Sequence, residues 1–413
     1  MLLTAGSRGD VEPFAALARF AAGRGHTVRL GIPDNSGVDT AGLDVVSLQI
    51  DFAQLVQGQG VSPWAAARSF TDRIRPGMRR LLVAAVRESL AFEPDVIVYH
   101  PKVLSAPFAA DALGIPHVVV ETVPSLTPTR AFPAPGVVNV NLGPLNRLTY
   151  AAAAGAARMF RKEIAAARGI IPGQSADRGA GRASPAAASL VPVSPQLLKR
   201  PADWPASVHL TGAWRDGDAR AGDLDPDVLD FMGAGAFIYA GFGSMAAGDP
   251  IARGRAVVGG ARRHGLRVVV ATGWGGLAVP DDLRGDDVLV VGSVPHELVL
   301  PRAAIAVHHG GAGTVHAAAR AGIPSVVVPF IADQPFWGRQ LLLRCLAPKP
   351  IPYKRLSAAR LAAAIGEALV YRRNAELVGE RIRAEQGLRV ALDVIEALPP
   401  SGPRSPAPRG GQD

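Results

Sequence analysis

Three loops in this chain carry residue types that could grip an anion, move a proton and hold a sugar. The first is Thr4-Ala5-Gly6-Ser7-Arg8-Gly9-Asp10-Val11-Glu12-Pro13, between a short apolar run and the helix-period segment 14–22. Its glycines let the backbone turn close to a ligand. Asp10 then either caps the helix, worth about 1 kcal/mol, or acts as a general base; spacing alone leaves both open. The second is His308-His309-Gly310-Gly311-Ala312-Gly313-Thr314, followed by the helical stretch 315–321. Glycines at a helix N-terminus present backbone N–H groups to a phosphate, with His309 and Thr314 as side-chain donors. The alternative is a glycine turn with a satisfied histidine. A metal site is not expected, because adjacent histidines point apart and no carboxylate stands at ligand spacing. Nor is this a Walker A loop, since no Gly-Lys-Ser/Thr follows, or a clean dinucleotide fingerprint. Phe242-Gly243-Ser244 offers another glycine turn toward the same edge. The third loop holds Asp333-Gln334: one charged acceptor beside an amide that donates and accepts, the inventory for vicinal sugar hydroxyls. Turn chemistry ahead of Pro335 is its simpler explanation.

The elements that position these loops follow from periodicity. Strand-like apolar runs at 28–32, 96–99, 117–121, 237–240, 268–271, 288–291 and 325–329 alternate with helix-period stretches. In one such stretch, 78–90, Met78, Leu81, Leu82, Ala85, Val86 and Leu90 share a face. Repeated βαβ units mean parallel sheets with helices on both faces, an α/β class. A length of 413 residues predicts two doubly wound domains, with the switch near 205–225 where PADWPA and the acidic DGDARAGDLDPD interrupt the pattern. Residues 172–188 read as a loop, and the proline-rich tail from Leu398 has too few apolar residues to fold.

Composition narrows the class. Hydrophobic residues make up 48% and charged residues 19%, the balance of a globular enzyme. Cys345 is the only cysteine, which excludes an intramolecular disulfide and any multi-cysteine metal site. There is no run of eighteen apolar residues and no signal-peptide pattern, so a cytoplasmic protein is expected. The net charge of +9 comes from scattered arginines, and no nucleic-acid partner is expected.

Four segments in order, GSRGDVEPFAAL at 6–17, GFGSM at 241–245, HHGGAGTVHAAARAGIPSVVVPF at 308–330 and DQPFWG at 333–338, resemble the GT-B glycosyltransferases of nucleotide-sugar family one. The bacterial natural-product and sterol glucosyltransferase branches are the most similar, and PSLTPTRAFPAP at 124–135 looks like the sterol type. The resemblance implies two facing Rossmann-like domains. Residues 1–205 would bind acceptor, 206–374 the nucleotide sugar, and a helix within 375–397 would cross back, leaving 398–413 disordered. Carried over by position, Gly243, Ser244, His309, Gly311, Gly313 and Thr314 surround the diphosphate. Trp274 and Val294 would wall the nucleoside, with core packing as the other role for Trp274, and Asp333 with Gln334 would contact the sugar.

Asp10 falls where aspartate-type members keep their catalytic base. The implied reaction is an inverting displacement from a UDP- or dTDP-sugar, with no metal and no resident cofactor. Two Asp-x-Asp matches to the metal-dependent transferases, Asp216-Gly217-Asp218 and Asp223-Leu224-Asp225, are accidents of the acidic linker. A hydrophobic small-molecule acceptor is expected near Trp64, Phe70, His100 and Phe132, although these residues would equally serve to cover the sheet. Arg68, Arg73, Arg75, Arg79 and Arg80 allow a weak peripheral contact with anionic lipid, or simply a solvated helix face. A monomer or homodimer is expected. Two other readings are a non-catalytic auxiliary protein and a nucleotide-sugar 2-epimerase.

Overall fold

The computed structural model describes residues 1–52, 70–173, 183–215, 224–243, 245, 248–273 and 275–399. Trp64, Arg68, Ser244, Trp274, most of the 172–188 loop, the linker at 216–223 and the tail from 400 lie outside the described residues.

Two all-parallel sheets organise the chain. The first takes β1 Leu2–Leu3, β2 Arg29–Ile32, β3 Asp44–Ser47, β4 Ile97–Tyr99, β5 His117–Val120, β6 Ala188–Val191 and β7 Val208–Leu210, in the order β3-β2-β1-β4-β5-β6-β7. The second takes β8 Phe237–Gly241, β9 Arg267–Ala271, β10 Val288–Val291, β11 Ile305–His308 and β12 Ser325–Val327, in the order β10-β9-β8-β11-β12. Register runs straight across, with Leu2 beside both Leu30 and Val98, and Ala240 beside both Val270 and Val307. Because helices cover both faces, the central strands read as unbroken apolar runs such as RVVVA in β9.

Strand order reverses at β1/β4 in the first sheet and at β8/β11 in the second. In open parallel sheets such switch points leave a crevice beyond the carboxyl ends of the strands. The loops with chemistry leave from these strands: Thr4–Asp10 follows β1, His100–Lys102 follows β4, Phe242–Gly243 follows β8 and His309–Gly311 follows β11.

Where the chain departs from the sequence reading, local physics gives the reason. The first helix spans Arg8–Ala22 and starts ahead of Pro13, in the loop predicted from sequence, so Asp10 sits in its first turn. Pro13 lies inside the helix, where it forgoes the bond its missing N–H would have made one turn back and its ring crowds that carbonyl. β3, an edge strand, presents exposed ends, with Asp44 paired to Arg29 at 2.9 Å, so its DVVS run lacks an apolar signature. β7 keeps the first sheet running to Leu210.

The two halves share an apolar seam. Phe132, Tyr150, Val191 and Trp204 from the first half pack with Val315, Trp337, Leu341 and Val378 from the second. The helix Arg372–Arg383 stays with the second half, where a Cβ at Gly379 would come within 2.7 Å of Gly322 Cα. The last helix, Gly387–Glu396, rests on the first half. There Ala391, Leu388, Val394 and Ile395 meet Phe14 and Leu17, and Glu396 bonds His26 at 2.8 Å. The chain crosses through Ala384–Gln386, and the helix that packs on the first half occupies only the last part of 375–397.

Candidate active site

Asp10 is held by four donors. Ser7 N–H (2.8 Å), Ser7 Oγ (3.2 Å) and Lys102 Nζ (3.0 Å) reach Oδ2, while His100 Nε2 lies 3.2 Å from Oδ1. The Ser7 contacts form a capping box, so the carboxylate caps the helix and still keeps 19% of its side chain exposed to the cleft. Capping and chemistry are compatible here.

The proton on His100 can be placed from geometry. The Lys102 backbone N–H donates to His100 Nδ1 at 3.2 Å, so Nδ1 is bare and the neutral ring carries its hydrogen on Nε2, facing Asp10. Burial would raise the carboxyl, but the His100 hydrogen bond and the Lys102 charge outweigh it and hold Asp10 well below the usual carboxylate range. For His100, burial lowers the imidazole, opposed by the bond to Asp10. Sequence reasoning missed Lys102. Its only signal was a lysine two residues beyond a histidine at the end of a strand, in a chain that prefers arginine.

Gly6 is required here. It has φ +139, and a Cβ there would fall 2.1 Å from Asp10 Oδ2 and 2.5 Å from Lys102 Nζ.

Across the crevice, β11 turns into its helix through Gly310, at φ +91, whose N–H donates to His308 Nδ1 at 3.1 Å. That contact turns His308 into the core, while His309 faces the loops, so the adjacent histidines do point apart. A Cβ at Gly243 would lie 3.3 Å from His309 Cε1, and one at Gly311 only 2.5 Å from His309 Nε2. Burial lowers His309 to about 4, against a hydrogen bond with the Gly241 backbone, and its buried Nδ1 has no partner among the described residues. Beyond it, Gly313 and Thr314 begin the helix Ala312–Ala321, whose first N–H groups have no intrahelical acceptor. Gly273 stacks on Gly243, and Gly273 N–H bonds Gly292 O at 2.9 Å, bringing half-buried Val294 to the same edge.

Asp333 and Gln334 divide their work. Asp333 Oδ2 accepts the Trp337 indole N–H at 2.7 Å; burial raises its carboxyl, with the Asp10 charge adding to the rise. Gln334 is buried. Its Oε1 takes the N–H groups of Phe330 (2.7 Å) and Ile331 (3.1 Å), and Nε2 rests 3.3 Å from Met245 Sδ. Its amide thus braces the loop that presents Asp333.

The residues expected near an acceptor take up packing and positioning contacts among the described residues. Phe132 is buried in the seam, with ring centroids 5.1 Å from Phe336 and 6.3 Å from Trp204, so it packs the domains together and lines no entrance. His100 is buried behind Asp10 and positions that carboxylate. Phe70 packs on Phe160 at 5.7 Å. Glu121, absent from the sequence reading, pins the acceptor-side loop through Leu126 N–H (2.8 Å), Thr127 Oγ1 (2.5 Å) and Ser189 Oγ (2.9 Å).

Residues 276–388 match the erythromycin biosynthesis protein CIII-like C-terminal domain. The chain is 34% identical to O-mycaminosyltylonolide 6-deoxyallosyltransferase of Streptomyces fradiae, covering 96% of both chains. It is 30% identical to the sterol 3-beta-glucosyltransferase UGT80A2 of Arabidopsis thaliana over 95% of this chain, but spans only 64% of that relative. Among solved structures it superposes on the glycotransferase of kitacinnamycin with TM-score 0.71, 21% identity, covering 96% of this chain and 97% of that one. It also superposes on Streptomyces sp. SF2575 glycosyltransferase SsfS6, complexed with thymidine diphosphate, with TM-score 0.58, 20% identity and coverage of 96% and 99%. Two switch-point crevices, one with a donor-held carboxylate and one with a histidine between glycine turns, thus sit on a fold and a sequence shared with these enzymes: the chain belongs to the GT-B glycosyltransferases of family one.

Proposed function

We propose that the protein transfers a hexosyl group from a UDP- or dTDP-sugar to a hydroxyl of a hydrophobic small molecule of the macrolide or sterol class, with inversion and without a metal. The observation that carries this reading is that Asp10 and the His309 cradle stand at the two switch points, each at the carboxyl edge of its own sheet. The names of the bacterial and plant relatives support the acceptor class, and thymidine diphosphate in a solved neighbour supports the donor class.

In the proposed step the acceptor oxygen bonds to the anomeric carbon as the carbon–oxygen bond to the diphosphate breaks. The bonding electrons leave with the nucleoside diphosphate, and the acceptor proton passes to Asp10. His100 occupies Oδ1, so the acceptor hydroxyl competes with Lys102 for Oδ2. A carboxylate held this low takes the proton late, once the acceptor oxygen has bonded to carbon and its proton has become acidic. On the donor side, the first N–H groups of Ala312–Ala321, Thr314 and His309 would spread the charge of the leaving group.

Calorimetric or thermal-shift titration with UDP, dTDP, UDP-glucose and NAD, in the presence of a chelator, tests the donor half. Stabilisation by UDP or dTDP and none by NAD is expected, because a ligand that binds only the folded state raises its melting temperature. No shift with any nucleotide would overturn the reading and favour the auxiliary-protein alternative.

A further inference from the structure

The described surface concentrates its apolar exposure in one place. Of fourteen large hydrophobic side chains left exposed, six lie between 137 and 159: Val137, Val140, Leu142, Leu145, Leu148 and Met159. Val140 is 65% exposed, Leu145 59% and Leu148 69%. Single surface leucines are ordinary, whereas a cluster marks a contact surface.

This segment is pinned by its polar residues and shows water its apolar ones. Asn146 is buried; its Nδ2 donates to Arg130 O at 2.9 Å and its Oδ1 accepts the Leu142 N–H at 2.9 Å. Thr149 Oγ1 accepts the Ala134 N–H at 2.7 Å and donates to Asn146 O at 2.6 Å. Leu142, Leu145 and Leu148, next to these anchored residues, are left exposed, the reverse of a surface made for water.

Charge narrows the occupant. From 130 to 162 the chain carries Arg130, Arg147, Arg158, Arg161 and Lys162, all exposed, and neither Asp nor Glu. The carboxylates facing it from adjoining elements are engaged. Asp203 accepts from Thr129 Oγ1 (2.6 Å) and the Arg130 N–H (2.9 Å), and Glu163 is held by Arg75 at 2.9 Å. A second copy docking by the same face would bring like charges together. Within the arginine stretch singled out from sequence, Arg75 serves Glu163 and Arg80 bonds Gln49 O.

The surface also adjoins the cleft. A Cβ at Gly136 would stand 3.5 Å from the Ala332 backbone, beside exposed Ile331 and one residue from Asp333.

We propose that the surface formed by residues 137–152 and 158–162 docks on a bilayer bearing anionic phospholipid, presenting the cleft, on the transferase reading above, to hydrophobic acceptors dissolved in that membrane. Exposed aliphatics interleaved with cations and free of acids form an interfacial composition.

Vesicle flotation of the full chain, without donor or acceptor, tests this independently of the transferase reading. The protein is expected to float with vesicles containing phosphatidylglycerol, to stay down with phosphatidylcholine alone, and to be released by high salt. Leu145→Ser combined with Leu148→Ser should cut the bound fraction about tenfold, and Arg147→Glu should weaken binding to the anionic vesicles only. Circular dichroism melting establishes that the variants fold. No flotation with the anionic vesicles, or equal flotation of both variants and the parent, would overturn the proposal. So would a vesicle-free dimer that the same substitutions break.

Discussion

At the residue scale the decisive feature is how few freedoms Asp10 retains. Ser7, Lys102 and His100 occupy both of its oxygens, and the bare Nδ1 of His100 fixes which hydrogen faces it. Asp10→Asn should therefore keep the fold and donor binding while turnover falls by about 10²–10⁴, the range for loss of a general base. Steady-state kinetics beside a nucleotide titration would show it, and near-parental turnover would remove Asp10 from that role. Lys102→Met tests the electrostatics. Without the ammonium, Asp10 rises toward the ordinary carboxylate value. The acid limb of the pH–rate profile should then move to higher pH. The sign for stability is the same: a carboxyl with a depressed folded value stabilises above its unfolded value and loses that contribution as pH falls through the folded one. Acid unfolding of the Lys102→Met variant should thus begin at higher pH than in the parent.

At the scale of elements, the proposed donor cradle depends on two glycine turns that leave room for one imidazole. Gly311 has an ordinary extended backbone, φ −65 and ψ 142, so alanine there costs no backbone strain. Its methyl would nevertheless meet His309 Nε2 at 2.5 Å and displace the ring. Gly311→Ala should leave the melting temperature nearly unchanged and weaken nucleoside diphosphate binding by about tenfold, the loss of roughly one good hydrogen bond to a charged group. Calorimetry reads both quantities in one sample.

Across the whole molecule, the seam and the returning helix join the halves. Ser194 N–H donates to His316 Nε2 at 3.3 Å and Ser194 Oγ to Glu385 Oε1 at 2.6 Å, within the segment where the chain crosses back. Ala391, on the helix beyond that crossing, is fully buried against the first half. Ala391→Asp would place an unpaired charge there and should cost about 3 kcal/mol or more. Thermal denaturation should show a clearly lowered melting temperature.

Much of this was legible in the sequence, because parallel strands buried on both faces must be apolar and phosphate loops must be rich in glycine. Those local requirements determined the α/β class, the runs that became β2, β4, β5, β8, β9, β10 and β12, and the three chemistry-bearing loops. They also determined the candidacy of Asp10, His309 and Asp333. Only the tertiary structure decided the rest, because it depends on contacts between residues far apart in the chain. Lys102 reaches Asp10 across 92 positions, and His100 meets the same carboxylate from the end of another strand. Phe132 went to the seam because Phe336 waits there from the other half. Gln334 spent its amide on its own loop. Local pattern states which residues can do chemistry; which partner each one meets is set by strand order, and strand order is a property of the folded chain.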